Sequence, residues 1–276
     1  QTRDGYLWLG TYNGLVRFDG DRFTVFNEGN TPGLPSNPIV FLFEDSRGRL
    51  WVGTDGGGIV VMRDGEVGRL EFGAGSSLGR VRSACEDAAG GVWFYTQDGQ
   101  LGRFFGDGIT GWQTGPSLSR SVVFSGGHVW LGRDQGMFEL GSVSVSNNVS
   151  SLPALVTNIP AARQDFLAAS RDGGIWRLAD GRVEKWSAGQ LEKALGNYAW
   201  TNSESVYVTS ACEDLQGNLI VGVRGAGVFW YDANGKATQL STEGALSHSG
   251  VLAVCQDREG NLWVGTDGGG LNRVRR

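Results

Sequence analysis

The chain has 276 residues, among them 46 glycines, 10 tryptophans and only 6 prolines. Glycine makes up about 17%, more than twice ordinary usage, but few prolines and 11% aromatics exclude a disordered linker or a collagen-like repeat. A net charge of −5 and a pI near 5.2 exclude a basic footprint for nucleic acid or an anionic membrane.

One short sentence recurs along the chain. It opens as GYLWLGTYNG (Gly5–Gly14), returns as GRLWVGTDGG (Gly48–Gly57) and closes as GNLWVGTDGG (Gly260–Gly269). Weaker copies are GGVWFYTQDG, GHVWLGRDQG, DFLAASRDGG and GNLIVGVRGA. Aligned on the aromatic, the anchors are Trp8, Trp51, Trp93, Trp130, Leu167, Ile220 and Trp263, spaced 43, 42, 37, 37, 53 and 43 residues apart. Each unit follows its anchor with a second apolar strand such as GLVRF, GIVVM or GVFWY. A tight-turn pair comes next in most units: Asp19-Gly20, Asp64-Gly65, Asp107-Gly108, Asp180-Gly181 and Asn234-Gly235, with Gly141-Ser142 in the fourth. A further strand precedes most anchors (IVFLFED, VRSACED, VYVTSACED, VLAVCQD). Four short strands per roughly 40 residues predict one blade of a β-propeller. The chain therefore reads as one all-β domain over 1–276, a seven-bladed β-propeller of four-stranded antiparallel blades. The first blade is expected to lack its inner strand and the last its outer one.

The 53-residue interval reads as an insertion over Ser187–Ser205. Within it SAGQLEKALG predicts a short helix, with Ser187 and Gln190 as a capping box and Gly196 as its stop.

The repeated Asp45, Asp87, Asp214 and Asp257 stand three residues before a glycine, so they read as turn caps rather than catalytic carboxylates. The tryptophans read as inter-blade packing. Cys85, Cys212 and Cys255 occupy equivalent core positions, and neither they nor His128 and His248 have metal-ligand spacing. No catalytic residue, metal or cofactor is assigned.

The pattern E-D-x-x-G-x-L-W-V-G-T-x-G-G-G-L-x-R-V, strongest at Gln1–Asn27, Glu44–Met62 and Gln256–Val274, resembles the two-component regulator propeller repeat. That family occurs in sensor regions of bacterial histidine kinases, hybrid two-component proteins and some diguanylate cyclases. The resemblance implies a periplasmic sensor or interaction domain without enzymatic activity. It also implies a parent protein that carries a membrane segment and a signalling output module. The implied partner is a small molecule, an oligosaccharide or another protein; nucleic acid is not expected.

By analogy with other propellers, the loops between second and third strands and the inter-blade connections form the binding face. They contribute Tyr12, Asn13, Asp55, Asp98, Arg133, Arg171, Arg224 and Asp267, with His248 from a connection and the aromatic pair Tyr198 and Trp200 from the long insertion. An alternative is a propeller enzyme, a polysaccharide or antibiotic lyase, drawing on Arg133, Arg171, Arg224 and His248. A protein-interaction scaffold is a third reading.

Overall fold

The computed structural model describes residues 1–56, 58–63, 65–69, 79–106, 108–115, 117, 121–140, 155–156, 159, 162–244 and 246–275. Every helix or strand among them is a strand, and the strands form the seven small antiparallel sheets of a seven-bladed β-propeller. The expected turn at Gly141-Ser142 and the strand after it lie outside the described residues, as do Gly57, Asp64 and Asp107.

Two compact units divide the chain, one of Gln1–Phe124 with Leu140–Leu155, the other of Ser125–Glu139 with Val156–Arg276. In the first unit, the first sheet has three strands: β1 (Leu7–Thr11), β2 (Gly14–Phe18) and β3 (Phe23–Phe26). The second has four: β4 (Ile39–Glu44), β5 (Leu50–Thr54), β6 (Gly58–Arg63) and β7 (Glu66–Arg69). The third has β8 (Val81–Glu86), β9 (Val92–Thr96), β10 (Gln100–Phe105) and β11 (Gly108–Gln113). The fourth sheet has β12 (Ser121–Ser125), β13 (His128–Arg133), β14 (Gly136–Leu140) and β15 (Leu155–Val156).

The second unit holds the fifth sheet, β16 (Gln164–Ala169), β17 (Ile175–Ala179), β18 (Arg182–Ser187) and β19 (Gln190–Asn197). The sixth is β20 (Tyr207–Glu213), β21 (Leu219–Arg224), β22 (Gly227–Tyr231) and β23 (Ala237–Leu240). The seventh has three strands, β24 (Val251–Gln256), β25 (Leu262–Thr266) and β26 (Gly270–Val274).

Apolar side chains meet between neighbouring blades. In the first unit Leu15 packs with Ile39, Val52 and Met62, and Trp51 packs with Val81, Phe94 and Phe104. In the second, Trp176 and Leu178 pack with Val221 and Phe229, and Ile220 with Val251, Val254 and Val264. The Trp51 and Phe104 rings meet edge to face at 5.3 Å, confirming the inter-blade role of that tryptophan. Gly53 in the repeat lets the inner strand approach, because a Cβ there would lie 2.9 Å from that of Phe41.

The repeated aspartates do cap turns. Asp45 Oδ1 accepts the amides of Arg47 and Arg49 at 3.0 Å each, and Gly48 adopts φ +72°. The second oxygen holds an indole. Asp45, Asp87 and Asp257 accept the indole N–H of Trp51, Trp93 and Trp263 at 2.8, 2.8 and 2.7 Å. In the sixth blade, where Ile220 has no indole, Trp230 of the third strand donates to Asp214 at 3.0 Å. In the first, Thr2 stands in for the aspartate and accepts from Trp8 at 3.0 Å.

The fifth blade corrects the sequence expectation. Its anchor is Trp176 on the second strand, 46 residues after Trp130 and 44 before Ile220; Leu167 belongs to the first strand. Asp180-Gly181 therefore joins second and third strands, and the 53-residue interval holds no insertion. The expected helix over Ser187–Gly196 is instead the outer hairpin β18–β19. Ala188 and Gly189 turn it with φ +47° and +75°, both left-handed and incompatible with an α-helix. β19 is an edge strand, with Leu195 buried and Leu191 exposed; this mixed polar composition gave it a helical appearance.

Candidate functional site

Within each blade, antiparallel connectivity places the second-to-third loop and the connections to neighbouring blades at one end. The first-to-second and third-to-fourth turns lie at the other. The first end carries Tyr12 and Asn13 (β1–β2), Asp55 (β5–β6) and Asp98 (β9–β10) in the first unit. In the second unit it carries Arg133 and Arg224 as the last residues of β13 and β21, Asp267 (β25–β26), His248 before β24, and Tyr198 and Trp200 before β20. Arg171 does not belong with them. It sits in the β16–β17 turn at the opposite end, where its Nε donates to the Glu213 carbonyl at 3.4 Å. Misplacing the fifth anchor had displaced its loops.

The same end of the fifth blade holds a cleft of about 520 Å³, lined by Arg163, Asp165, Asp180, Gly181, Asn197, Tyr198, Trp200, Thr201, Asn202 and Ser203. Asp165 is its hub. A bulge between Gln164 and Phe166 takes it out of the β16–β17 ladder, a common device for re-aiming a side chain. Its Oδ2 accepts the Tyr198 hydroxyl at 2.8 Å and Asn202 Nδ2 at 3.2 Å, while Arg163 Nε lies 3.4 Å from Oδ1. Burial, then the charge of Asp165 and the bond to it, push the Tyr198 phenol well above its ordinary value of 10.0, so it stays a neutral donor.

The aromatic pair is braced by packing and hydrogen bonds. Tyr198 stacks on Trp200 at 4.4 Å and 14°, and Trp200 meets Phe229 at 4.9 Å and 40°. The Trp200 indole donates to Asn202 Oδ1 at 2.7 Å, the Tyr198 amide to Gly181 O at 2.7 Å, and the Ala199 amide to the Tyr231 hydroxyl at 2.9 Å. Trp200 thus pins the connection onto the blade, and Tyr198 lies over it. Arg163, Asp165, Asp180 and Asn202 were missed from sequence; aligning the fifth blade on Trp176 would have put Asp180 in the second-to-third turn.

Two smaller groupings occupy the same end of other blades. In the first unit Arg80 Nη1 lies 3.6 Å from Asp55, and Arg82 Nη2 donates to Gln97 at 2.7 Å, beside Asp98; Tyr12 is 68% exposed. In the second unit Arg224 pairs with Asp267 at 2.8 Å and reaches the Tyr207 hydroxyl at 3.4 Å. The Gly250 amide donates to His248 Nδ1 at 3.0 Å, and its carbonyl accepts the Asp267 amide at 2.7 Å. That bond assigns the imidazole proton to Nε2.

Among the described residues no three His, Cys, Asp or Glu side chains are grouped to hold a metal ion. The cysteines pair across the ladder with Trp93, Ile220 and Trp263, as equivalent core positions should. Burial raises the Cys85 and Cys212 thiols, the latter to about 12, leaving them unreactive. No described helix is long and apolar enough to cross a membrane.

Residues 33–56 and 245–268 match the family model described as two component regulator propeller. No curated protein matches the chain. Among solved structures, the extracellular domain of the hybrid two component system BT4673 from B. thetaiotaomicron superposes with a TM-score of 0.74 at 18% identity, over 100% of this chain and 37% of that one. Virginiamycin B lyase from Staphylococcus aureus gives 0.74 at 13% identity, over 99% and 92% of the two chains. PorZ, a surface component of the type-IX secretion system of Porphyromonas gingivalis, gives 0.66 at 17%, over 97% and 44%. The chain thus spans little more than a third of the length of its two-component relative. At these identities the likeness establishes the fold.

Proposed function

Proceeding from a chain that carries two-component regulator propeller repeats, we propose that it is a non-catalytic sensing module, the extracytoplasmic part of a bacterial two-component signalling protein. In this reading the parent protein supplies the membrane segment and the output module. The ligand binds at the blade ends that carry the second-to-third loops. The observation that carries the reading is the fifth-blade cleft, where a mostly buried carboxylate and a stacked aromatic pair line one open cavity. Arg224, His248 and Asp267 supply further contact points in the same unit. The equivalent ends bearing Tyr12, Asn13, Asp55 and Asp98 are a surface of the same kind in the first unit.

What supports the non-catalytic part of the reading is the use made of the repeated carboxylates. Asp45, Asp87, Asp214 and Asp257 each hold turn amides and an indole, so none is free to act as a general base. A thermal-shift screen of the purified chain against defined oligosaccharides, amino acids and amines tests the reading, with mass spectrometry of each hit after incubation. The expected result is a stabilising compound recovered intact. Consumption of the compound, abolished by His248→Ala, would overturn it in favour of a lyase-like propeller.

A further inference from the structure

Asp165 distinguishes the fifth-blade cleft from an ordinary polar groove. Its side chain is 11% exposed, and its two oxygens are treated differently. Oδ2 is saturated by Tyr198 and Asn202. At Oδ1 the charged neighbour among the described residues is Arg163, at 3.4 Å, and Arg163 is 62% exposed. A long pair with one wet partner contributes little stability, so the guanidinium is readily displaced. The other guanidinium near Tyr198 is committed elsewhere: Arg177 pairs with Glu184 at 2.7 Å and donates to Gln164 Oε1 at 2.8 Å. Asp180 adds a second, exposed carboxylate on the same lining.

We propose that this cleft binds a small organic cation, an amine or guanidinium, which displaces Arg163 from Asp165 Oδ1 and lies beside the Tyr198–Trp200 pair. Arg163 is then a resident plug that occupies the cation position. A ligand cation replaces it at a carboxylate already desolvated, and an adjacent aromatic ring favours positive charge. A neutral polyol has no such advantage, since it would leave the Arg163–Asp165 pair in place. The proposal rests on reading this cleft as the ligand site, and it adds the chemical class.

The plug gives the proposal an unusual sign. Isothermal titration with agmatine, a compact molecule bearing both a guanidinium and an amine, is expected to give saturable binding to the whole chain. Asp165→Asn should weaken it by about tenfold or more, because the buried charge that recognises the cation is gone. Arg163→Ala should tighten it several-fold, because a competitor has been removed. Since Arg163 is largely exposed, that variant folds and its sign decides the matter even where Asp165→Asn does not fold. No saturable agmatine binding, indifference to Asp165→Asn, or weakening by Arg163→Ala would each overturn the proposal. Maltotriose serves as the neutral probe: its binding, lost in Asp165→Asn, would overturn the cation and keep the cleft as ligand site. Ligands bound elsewhere, insensitive to both substitutions, would overturn the cleft itself.

Discussion

The carboxylate of Glu86 on the third blade accepts both the backbone amide and the hydroxyl of Ser46 in the second blade's first turn, each at 2.6 Å. The same reach recurs one blade earlier, where Glu44 accepts the Arg3 amide at 3.0 and 3.1 Å. In the second unit Gln256 Oε1 accepts the Leu215 amide at 2.7 Å, and Glu213 accepts from the Ser170 hydroxyl and, at 2.6 Å, from the Trp176 indole. The residue before the turn aspartate is thus a clasp to the preceding blade. It explains the acidic or amide residue that begins the repeat.

Glu86→Ala is expected to destabilise the chain by about 1 kcal/mol, the net worth of a charge-assisted pair at a partly wet site. Glu86→Gln, which keeps an acceptor, should recover part of it. Urea unfolding measures both; equal stability of Glu86→Ala and wild type would show that the clasp contributes nothing.

The aspartate–indole pairs predict a specific acid response. Burial alone would raise the carboxyls of Asp45, Asp87 and Asp257. Donors from the indoles, the turn amides and the neighbouring Arg49, Arg103 or Asn261 outweigh it, so each lies below its ordinary 3.8. A depressed native value means that the unfolded chain takes up the proton more readily. The stabilisation is therefore present above the ordinary value and lost as pH falls through the lower native one. Asp87→Asn should lower stability at neutral pH and flatten the acid limb. Melting temperatures of both proteins from about pH 6 to about pH 2 check this, and parallel curves would contradict it.

Trp200→Ala should cost about 2 kcal/mol, because the ring is packed between Tyr198 and Phe229 rather than standing free in the cleft. Full stability in that variant would mean that the ring is not a pin.

The outer hairpin of the fifth blade can be told from a helix by one substitution. Ala188 holds φ +47°, so Ala188→Gly relieves left-handed strain and should be neutral or stabilising by about 0.5–1 kcal/mol. In a helix the same change would destabilise by about 1 kcal/mol. The sign of the change in the urea midpoint separates the two.

The blade architecture was legible because its signals are local: an alternating strand, a glycine turn, a Trp-Val-Gly-Thr strand. Trp51, Trp93 and Trp263 were placed correctly for that reason. The fifth blade misled because Ser170 replaces the turn aspartate and its indole partner, Glu213, comes from the next blade. The Arg171-Asp172-Gly173-Gly174 run after DFLAAS resembles the Thr-Asp-Gly-Gly that follows the anchor strands, although Gly173-Gly174-Ile175-Trp176 carries the Gly-Gly-x-Trp of the third blade. The cleft was half legible: Tyr198 and Trp200 announced themselves as aromatics in a connection, whereas Asp165 depends on a bulge that no residue type signals. The clasps were invisible for a similar reason. Glu86 and Ser46 are 40 residues apart, and only packing of adjacent blades brings them together.

The central claim is that ligand binds at the fifth blade's second-to-third end. Hydrogen–deuterium exchange of the intact chain, with and without saturating agmatine, tests it most directly. The expected result is slowed exchange in residues 197–206 and 162–165, with the turns at 170–174, 188–189 and 214–218 unchanged. Protection confined to those opposite turns, or absent from 197–206, would contradict it.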